Sequence, residues 1–382
     1  MRKLGTAVAI TIALLSGVRP DSAVGADIRY VPLGFTGRLT EPTAQSALQG
    51  AQLALSDANE LATRKHLDIR FRLLPQDDRG NENFAINIAR YYIKENVAGV
   101  VGPWSSDAAL ATAELYERAH IPQIGFTATV SKLTSSGRAM PFRVVGGTSD
   151  LAAALAEVAM GPLQGRRILV IQNDSAYSMA LADAFVEKVG SSGAASVTRF
   201  QAGRQNTDFS AALKAAAQQE ADVIVFVAMY PQVRAFLDAA RRAQSTASIL
   251  LTAGATNLVD KPAGDGQLYV LEFEIPQDHC PRWKAFSAAY TRQFKSTPTT
   301  YSYYAYDAAS VLTAAILKSG AGDGEKIAQA LHQDQYAGLH GPIRFDAGGA
   351  NAHPRFTLYR FQGQWRPVQY FPAAAGRREK CQ

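Results

Sequence analysis

The sequence predicts an α/β protein built from two doubly wound parallel-sheet lobes, and three observations point there. Short apolar runs of strand length alternate with stretches of helical periodicity. That rhythm restarts at Arg167 with a second set of the same kind. The chain's 382 residues are enough for two domains that each bury a core.

The elements follow in order. Leu67 to Leu73 alternates with period two, as a half-exposed strand does. Asn83 to Lys94 has helical character, and Val97 to Val101 reads as a short buried strand. A helix from Asp107 to Arg118 precedes the apolar Ile121 to Ile124. In the second set, Arg167 to Ile171, Val197 to Phe200, Val223 to Val227 and Ile249 to Leu251 read as strands. Helices over Ala176–Val189, Phe209–Gln219 and Val233–Ala243 separate them. Alternating βα units bury both faces of a parallel sheet under helices.

Composition narrows the function classes. Apolar residues make up 47% and charged residues 19%, the balance of a folded globular protein. Residues 1–26 read as a secretory leader: Arg2 and Lys3, then apolar Leu4 to Val18, then small residues closing on Ala26. That apolar run is too short to span a bilayer, and no later segment is long enough. The whole chain carries a formal +6, and removal of the leader, with three basic residues and one acidic, leaves +4. The basic residues are scattered except near the C-terminus, with no aromatic-interleaved stripe of the kind nucleic acid requires. Cys280 and Cys381 could pair in an oxidising compartment, but their spacing alone does not decide it.

Ligands of open parallel sheets sit beyond the carboxyl ends of strands, against helix N-termini. Val100 to Asp107 offers such a place: a strand, a turn at Gly102-Pro103, Trp104, and Ser105 or Ser106 as the cap of the next helix. Free N–H groups and the helix dipole there favour a carboxylate or another anion. An ordinary serine cap with Trp104 in the core is the plainer reading of the same residues. The next strand end repeats the chemistry with Thr127, Ala128 and Thr129. In the second set, Tyr177 and the pair Met229-Tyr230 follow strand ends and could close a site from the opposite lobe.

Taken together, these blocks resemble the periplasmic branched-chain amino acid-binding proteins. The resemblance is carried by Gly34-Phe35-Thr36-Gly37 through Gly50-Ala51, Val101 to Tyr116, Phe209 to Leu213, Tyr303 to Ala308 and Gly341 to Phe345. It implies a type I periplasmic binding fold of two lobes joined by three crossovers, with a small molecule trapped between them. Residues 27–145 with 272–343 would form the first lobe, 146–271 with 344–370 the second, and 371–382 a tail. The crossovers are expected near Arg143–Thr148, Tyr269–Glu274 and Ile343–Asp346. Also implied are a monomer, a location in the periplasm, and delivery of cargo to a membrane ABC permease and its ATPase. The family's carboxylate-holding positions fall on Ser106 and Thr129, with Thr127 at a backbone contact and Tyr177 and Met229 or Tyr230 on the second lobe. Tyr301, with Trp104 and Phe126, would supply an aromatic wall. One departure matters: the acidic residue that pairs with a ligand ammonium is replaced at Ala253. Burying an ammonium without an anion costs several kcal/mol. The expected cargo is therefore a carboxylate without that ammonium, aromatic among the options, or a neutral amide-like compound, with a branched-chain or other amino acid as the alternative.

Enzyme signatures are missing from the sequence. It holds no Gly-x-Ser-x-Gly elbow and no phosphate loop, and its six histidines show no metal-ligand spacing, so no cofactor or metal is expected. Gly320 to Gly324 follows a helix rather than a strand and reads as a loop and helix start. Asp77-Asp78 reads as a turn or cap. A ligand-presenting sensory protein is the remaining alternative, since the same fold serves signalling.

Overall fold

The computed structural model describes residues 28–228, 232–257, 267–320, 322–372 and 381. The expected leader, the Met229-Tyr230 position and most of the expected tail lie outside these residues.

The first half winds strands and helices alternately. Strand β1 (Arg29–Gly37) leads to α1 (Pro42–Arg64), β2 (Ile69–Asp77), α2 (Glu82–Lys94), β3 (Val100–Val101), α3 (Ser106–Arg118), β4 (Gln123–Gly125) and β5 (Pro141–Arg143). The five strands form one parallel sheet in the order β2-β1-β3-β4-β5. Successive side chains of a strand point to opposite faces. Leu33 and Phe35 of β1 therefore pack toward α1, while Val100 packs with α2 and α3 around Tyr92 and Tyr116. Strand β2 starts two residues later than its alternation suggested, and Leu67 is exposed. It lies at the sheet edge, where one-sided packing blurs the period.

The chain then builds a second sheet. Helix α4 (Thr148–Met160) precedes β6 (Arg167–Gln172), α5 (Ala176–Ser192), β7 (Ser196–Gln201), α6 (Ser210–Gln218), β8 (Val223–Val227), α7 (Gln232–Arg242), β9 (Ser248–Leu251) and β10 (Leu268–Phe273). Three helices, α8 (Pro281–Phe294), α9 (Thr300–Ser319) and α10 (Gly324–Gln333), follow. A hairpin of β11 (Gln335–Gly338) and β12 (Gly341–Arg344) comes next, then β13 (Phe356–Phe361) and β14 (Trp365–Phe371). The order of the second sheet is β14-β13-β10-β9-β8-β6-β7, parallel from β7 to β10 and antiparallel beyond. Ile168 and Val170 of β6 face α4 and α5, whereas Leu169 and Ile171 face α6 and α7. Both sheets are thus covered on two sides, as the apolar strands require.

Helices α8 to α10 return to the first sheet. Ser46 of α1 bonds Tyr290 of α8 at 2.8 Å and Ser302 of α9 at 2.5 Å, tying the late helices to the start of the chain. Two expected passages shift. Tyr269 to Phe273 is strand, paired with Arg360 to Phe356, so the second passage begins after Phe273 and the second sheet keeps Glu272. The third is longer than expected: Arg143 bridges Ala350, and Phe345 bridges Asn351, holding 345–351 against the first sheet's edge. Cys280 and Cys381 form a disulfide with Cα atoms 5.3 Å apart, which resolves the pairing that their spacing left open. Asp77 and Asp78 serve turns, accepting from Leu39 and Arg79 and from Gly80 respectively. No helix among the described residues is long and apolar enough to cross a membrane.

Tyr92 joins two strands through one buried hydroxyl, which donates to the carbonyls of Phe35 at 2.8 Å and Leu74 at 2.7 Å. Tyr92→Phe leaves both carbonyls short of a donor in the core. Urea denaturation is expected to show a loss of about 1–3 kcal/mol.

Candidate functional site

Two strand ends of the first sheet build one side of the site. Strand β3 stops at Val101, and Gly102 turns the chain with φ of 112°. A Cβ at Gly102 would lie 2.5 Å from the Thr36 carbonyl oxygen, so only glycine fits the turn. Ser105 caps α3, its hydroxyl accepting from the Ala108 N–H at 3.2 Å, and Ser106 is the first helical residue. The two serines thus divide the roles that the sequence left open between them. First-turn N–H groups have no partner within a helix, so this end of α3 offers donors and a positive partial charge.

The neighbouring strand β4 brings the threonines alongside. Thr127 donates its hydroxyl to the Trp104 carbonyl at 2.7 Å, fixing the two strand-end loops together. Ala128 turns its side chain into a small core with Ala109, Ala113 and Leu133, so only its backbone can serve a site. Thr129 is buried, and its hydroxyl oxygen has no hydrogen-bond partner among the described residues. Buried hydroxyls are normally paired, and this exception sits one strand from the α3 N-terminus. The Thr129 carbonyl accepts from the Thr148 N–H at 2.8 Å, which holds the loop in place.

The aromatic wall is continuous. Trp104 meets Tyr301 with ring centroids 4.5 Å apart and packs edge-on against Phe126 at 5.6 Å. Phe126 is fully buried and stacks on Phe35, so it backs Trp104. Tyr301 lies in the first turn of α9.

Across from these residues stand groups carried by the second sheet. The turn after β9 holds half-buried Ala253 and then Gly254, with φ of 96°. A Cβ at Gly254 would lie 2.0 Å from the Tyr301 hydroxyl, so the absence of a side chain lets Tyr301 reach the opposite lobe. Burial pushes the phenols of Tyr177 and Tyr301 well above the ordinary range, with Thr252 acting against it at Tyr177. Asn257 accepts from the Thr300 N–H at 3.2 Å, a second tie from this turn to α9.

Sequence reasoning missed three residues here. Glu272 on β10 is buried beneath the turn and accepts from the Gly254 N–H at 2.8 Å, the Thr256 N–H at 3.0 Å and the Thr256 hydroxyl at 2.6 Å. Burial raises its carboxyl above the ordinary range against these bonds. Its signal was an acidic residue inside the apolar run Leu268 to Phe273. Asp107 and Arg204 are the other two. Asp107 accepts from the Ala176 N–H at the start of α5 (3.2 Å) and from Arg204 (3.0 Å), and Arg204 also pairs with Asp174 at 3.3 Å. The first lobe's carboxylate thereby caps a helix of the second. Nothing in the local sequence marks a contact 97 residues apart.

His279, Cys280 and Cys381 bring possible metal-ligating atoms within 4.8 Å of one another, but both thiols are spent in the disulfide. A disulfide sulfur is a poor metal ligand compared with a thiolate. The candidate site near the α3 N-terminus offers hydroxyls, backbone donors and aromatic rings, chemistry that suits a small anion with an apolar body better than a metal.

Comparison with known proteins agrees with this architecture. The periplasmic binding protein family matches residues 31–364. The Leu/Ile/Val-binding protein BraC3 of Rhizobium johnstonii is 24% identical over 87% of this chain and 92% of its own. A Pseudomonas aeruginosa protein that binds leucine, isoleucine, valine, threonine and alanine is 22% identical over 87% and 90%. Among solved structures, the leucine-binding protein LivK of Thermotoga maritima superposes with a TM-score of 0.81 at 25% identity, covering 89% of this chain and 98% of that one. A solute-binding protein of an ABC transporter from R. palustris, in complex with benzoate, gives 0.79 at 18% identity, covering 90% and 96%. The fold is the type I periplasmic binding fold, as the resemblance implied. With the family matched along most of its length, the chain belongs to the periplasmic binding proteins.

Proposed function

We propose that the protein captures a small carboxylate with an apolar, aromatic body and hands it to an ABC permease driven by its ATPase. The observation that carries the cargo class is the buried hydroxyl of Thr129, unpartnered beside the N-terminus of α3. A carboxylate placed there would accept from that hydroxyl, from Ser106 and from first-turn N–H groups, all aligned with the helix dipole. Trp104 and Tyr301 would flank its ring. Ala253 offers no anion for an ammonium, and Glu272 already accepts three hydrogen bonds from its own turn. That combination favours an acid without an α-ammonium. The benzoate held by the R. palustris relative supports the same class.

Capture would proceed by closure of the two sheets about the three passages of chain between them, after export to the periplasm as a monomer. Asp107, Arg204 and the α5 N-terminus would latch the closed form. An amino-acid cargo is the second reading, favoured by the names of the Leu/Ile/Val-binding relatives.

Calorimetric titration separates the two readings. Benzoate is expected to bind with one-to-one stoichiometry and leucine to give no heat; the reverse pattern would refute the aromatic acid. Thr129→Val keeps the shape and removes the hydroxyl, and should weaken benzoate binding about 10- to 100-fold, the worth of a hydrogen bond to a charged group. Arg204→Gln acts only on the latch. Its expected effect is a loss of about 1.5- to 5-fold in affinity, shrinking as salt is added, because the pair is partly exposed.

A further inference from the structure

Four ionisable side chains meet beneath the passages between the sheets, and none of them belongs to the site just described. Glu274 follows β10, Arg355 precedes β13, His340 lies in the turn between β11 and β12, and Asp307 lies in α9; all four are buried. Asp307 accepts from the Leu339 N–H at 2.7 Å and faces His340 Nδ1 at 3.1 Å. Arg355 directs Nε to Glu274 Oε2 at 3.4 Å and Nη2 to the His340 carbonyl. The other carboxylate oxygen of Glu274, Oε1, is buried without a hydrogen-bond partner among the described residues.

Glu274 borders a small cavity whose walls come from every passage. Val144 and Val145 belong to the first, Glu274 to the second, and Asn351 and Arg355 to the third. Its backbone is fixed as firmly as its side chain. Glu274 has φ of 64°, a left-handed conformation that costs a non-glycine residue about 1 kcal/mol. The N–H donates to the Arg355 carbonyl at 2.6 Å, and the carbonyl accepts from Thr357 Oγ1 at 2.7 Å. A hinge movement is absorbed by dihedral changes in such passages, so it must move the walls of this cavity.

We propose that Glu274 is a proton-operated hinge element: its neutral carboxyl favours the closed arrangement of the two sheets, and its ionisation favours opening. The proposal rests on the closure argued above and on no particular cargo. Burial is the leading influence on the carboxyl and raises it to about 7; Arg355 and His340 pull it down, and Asp307 pushes it up. The remaining charged neighbours are engaged elsewhere: Glu272 with its turn, and Arg143 of the first passage with the carbonyls of Thr129 and Val130. Tyr304, from α9, donates its hydroxyl to the Phe273 carbonyl.

Opening admits water to the cavity and returns the carboxyl toward its ordinary 4.5. The closed form then holds the proton more tightly than the open form. Closure is favoured at low pH, and the advantage fades as pH rises through about 7. Between about pH 8.5 and about pH 5.5, the closed-to-open ratio should rise by at most about 30-fold.

The test is small-angle scattering of the mature, ligand-free protein at both pH values, for wild type, Glu274→Gln and Glu274→Asp, with circular dichroism to confirm folding. Wild type and Glu274→Asp should be more compact at the lower pH, while Glu274→Gln should have the same dimensions at both. Wild-type dimensions that do not change with pH would overturn the proposal. So would a Glu274→Gln variant that keeps the wild-type response, which would point to His340 instead. Benzoate-induced compaction is measured as a separate arm. Its absence counts against the cargo reading and leaves the pH comparison intact; its presence with no pH response counts against Glu274 alone.

Discussion

A parallel sheet clamped between helices on both faces has little freedom to bend, because its strands share hydrogen bonds and its side chains are close-packed. Two such sheets in one chain leave relative movement to the segments that join them. Here those segments are three, and they converge on one small region where Glu274, Asp307, His340 and Arg355 are buried together. The late helices make this possible. Helices α8 and α9 cross back to the first sheet and bond to α1 through Ser46, so the chain must return again to complete the second sheet with β13 and β14.

The candidate site follows from the same winding. Parallel strands deliver all their carboxyl ends to one edge, and each is followed by the start of a helix. Neighbouring β3 and β4 therefore bring Trp104, Ser106, Thr127 and Thr129 together without any of them being adjacent in sequence. Strands β9 and β10 do the same for Thr252, Gly254 and Glu272. Helix dipoles, strand-end hydroxyls and aromatic rings accumulate in the cleft as a consequence of topology, and specificity is left to a few side chains.

Much of this was legible in the sequence. Strands buried on both faces, such as Val223 to Val227, announce themselves as unbroken apolar runs, and α3 and α5 begin within a residue of the expected Asp107 and Ala176. Edge strands read less well. Strand β2 has only one neighbour, and its alternation told little about where it begins. The first-lobe residues of the candidate site could be named because Ser105, Ser106, Thr127 and Thr129 are local strand-end chemistry. On the second-lobe side, Tyr177 and Ala253 were named from the sequence, but the residues that hold their turn and close the contact were not. Glu272 acts on a turn in a neighbouring strand, and Arg204 acts on Asp107 across the cleft, and such pairings exist only once the chain has folded. Glu272 and Glu274 still left a trace, as two acids in a segment otherwise apolar. Buried charges of that kind are rarely idle.

The cap that Asp107 supplies to α5 has a consequence for selectivity by charge. Two helix starts face each other across the cleft, and each is a natural seat for an anion. The protein fills the second of them with its own carboxylate, anchored by Arg204 and the Ala176 N–H. On the proposed reading, a guest carboxylate would be left the hydroxyls and N–H groups at the start of α3, with the start of α5 already taken. A molecule bearing acids at both ends would bring its second charge against Asp107 instead of against an empty helix terminus. For the acid cargo proposed above, this self-supplied anion would favour a monoanion over a diacid.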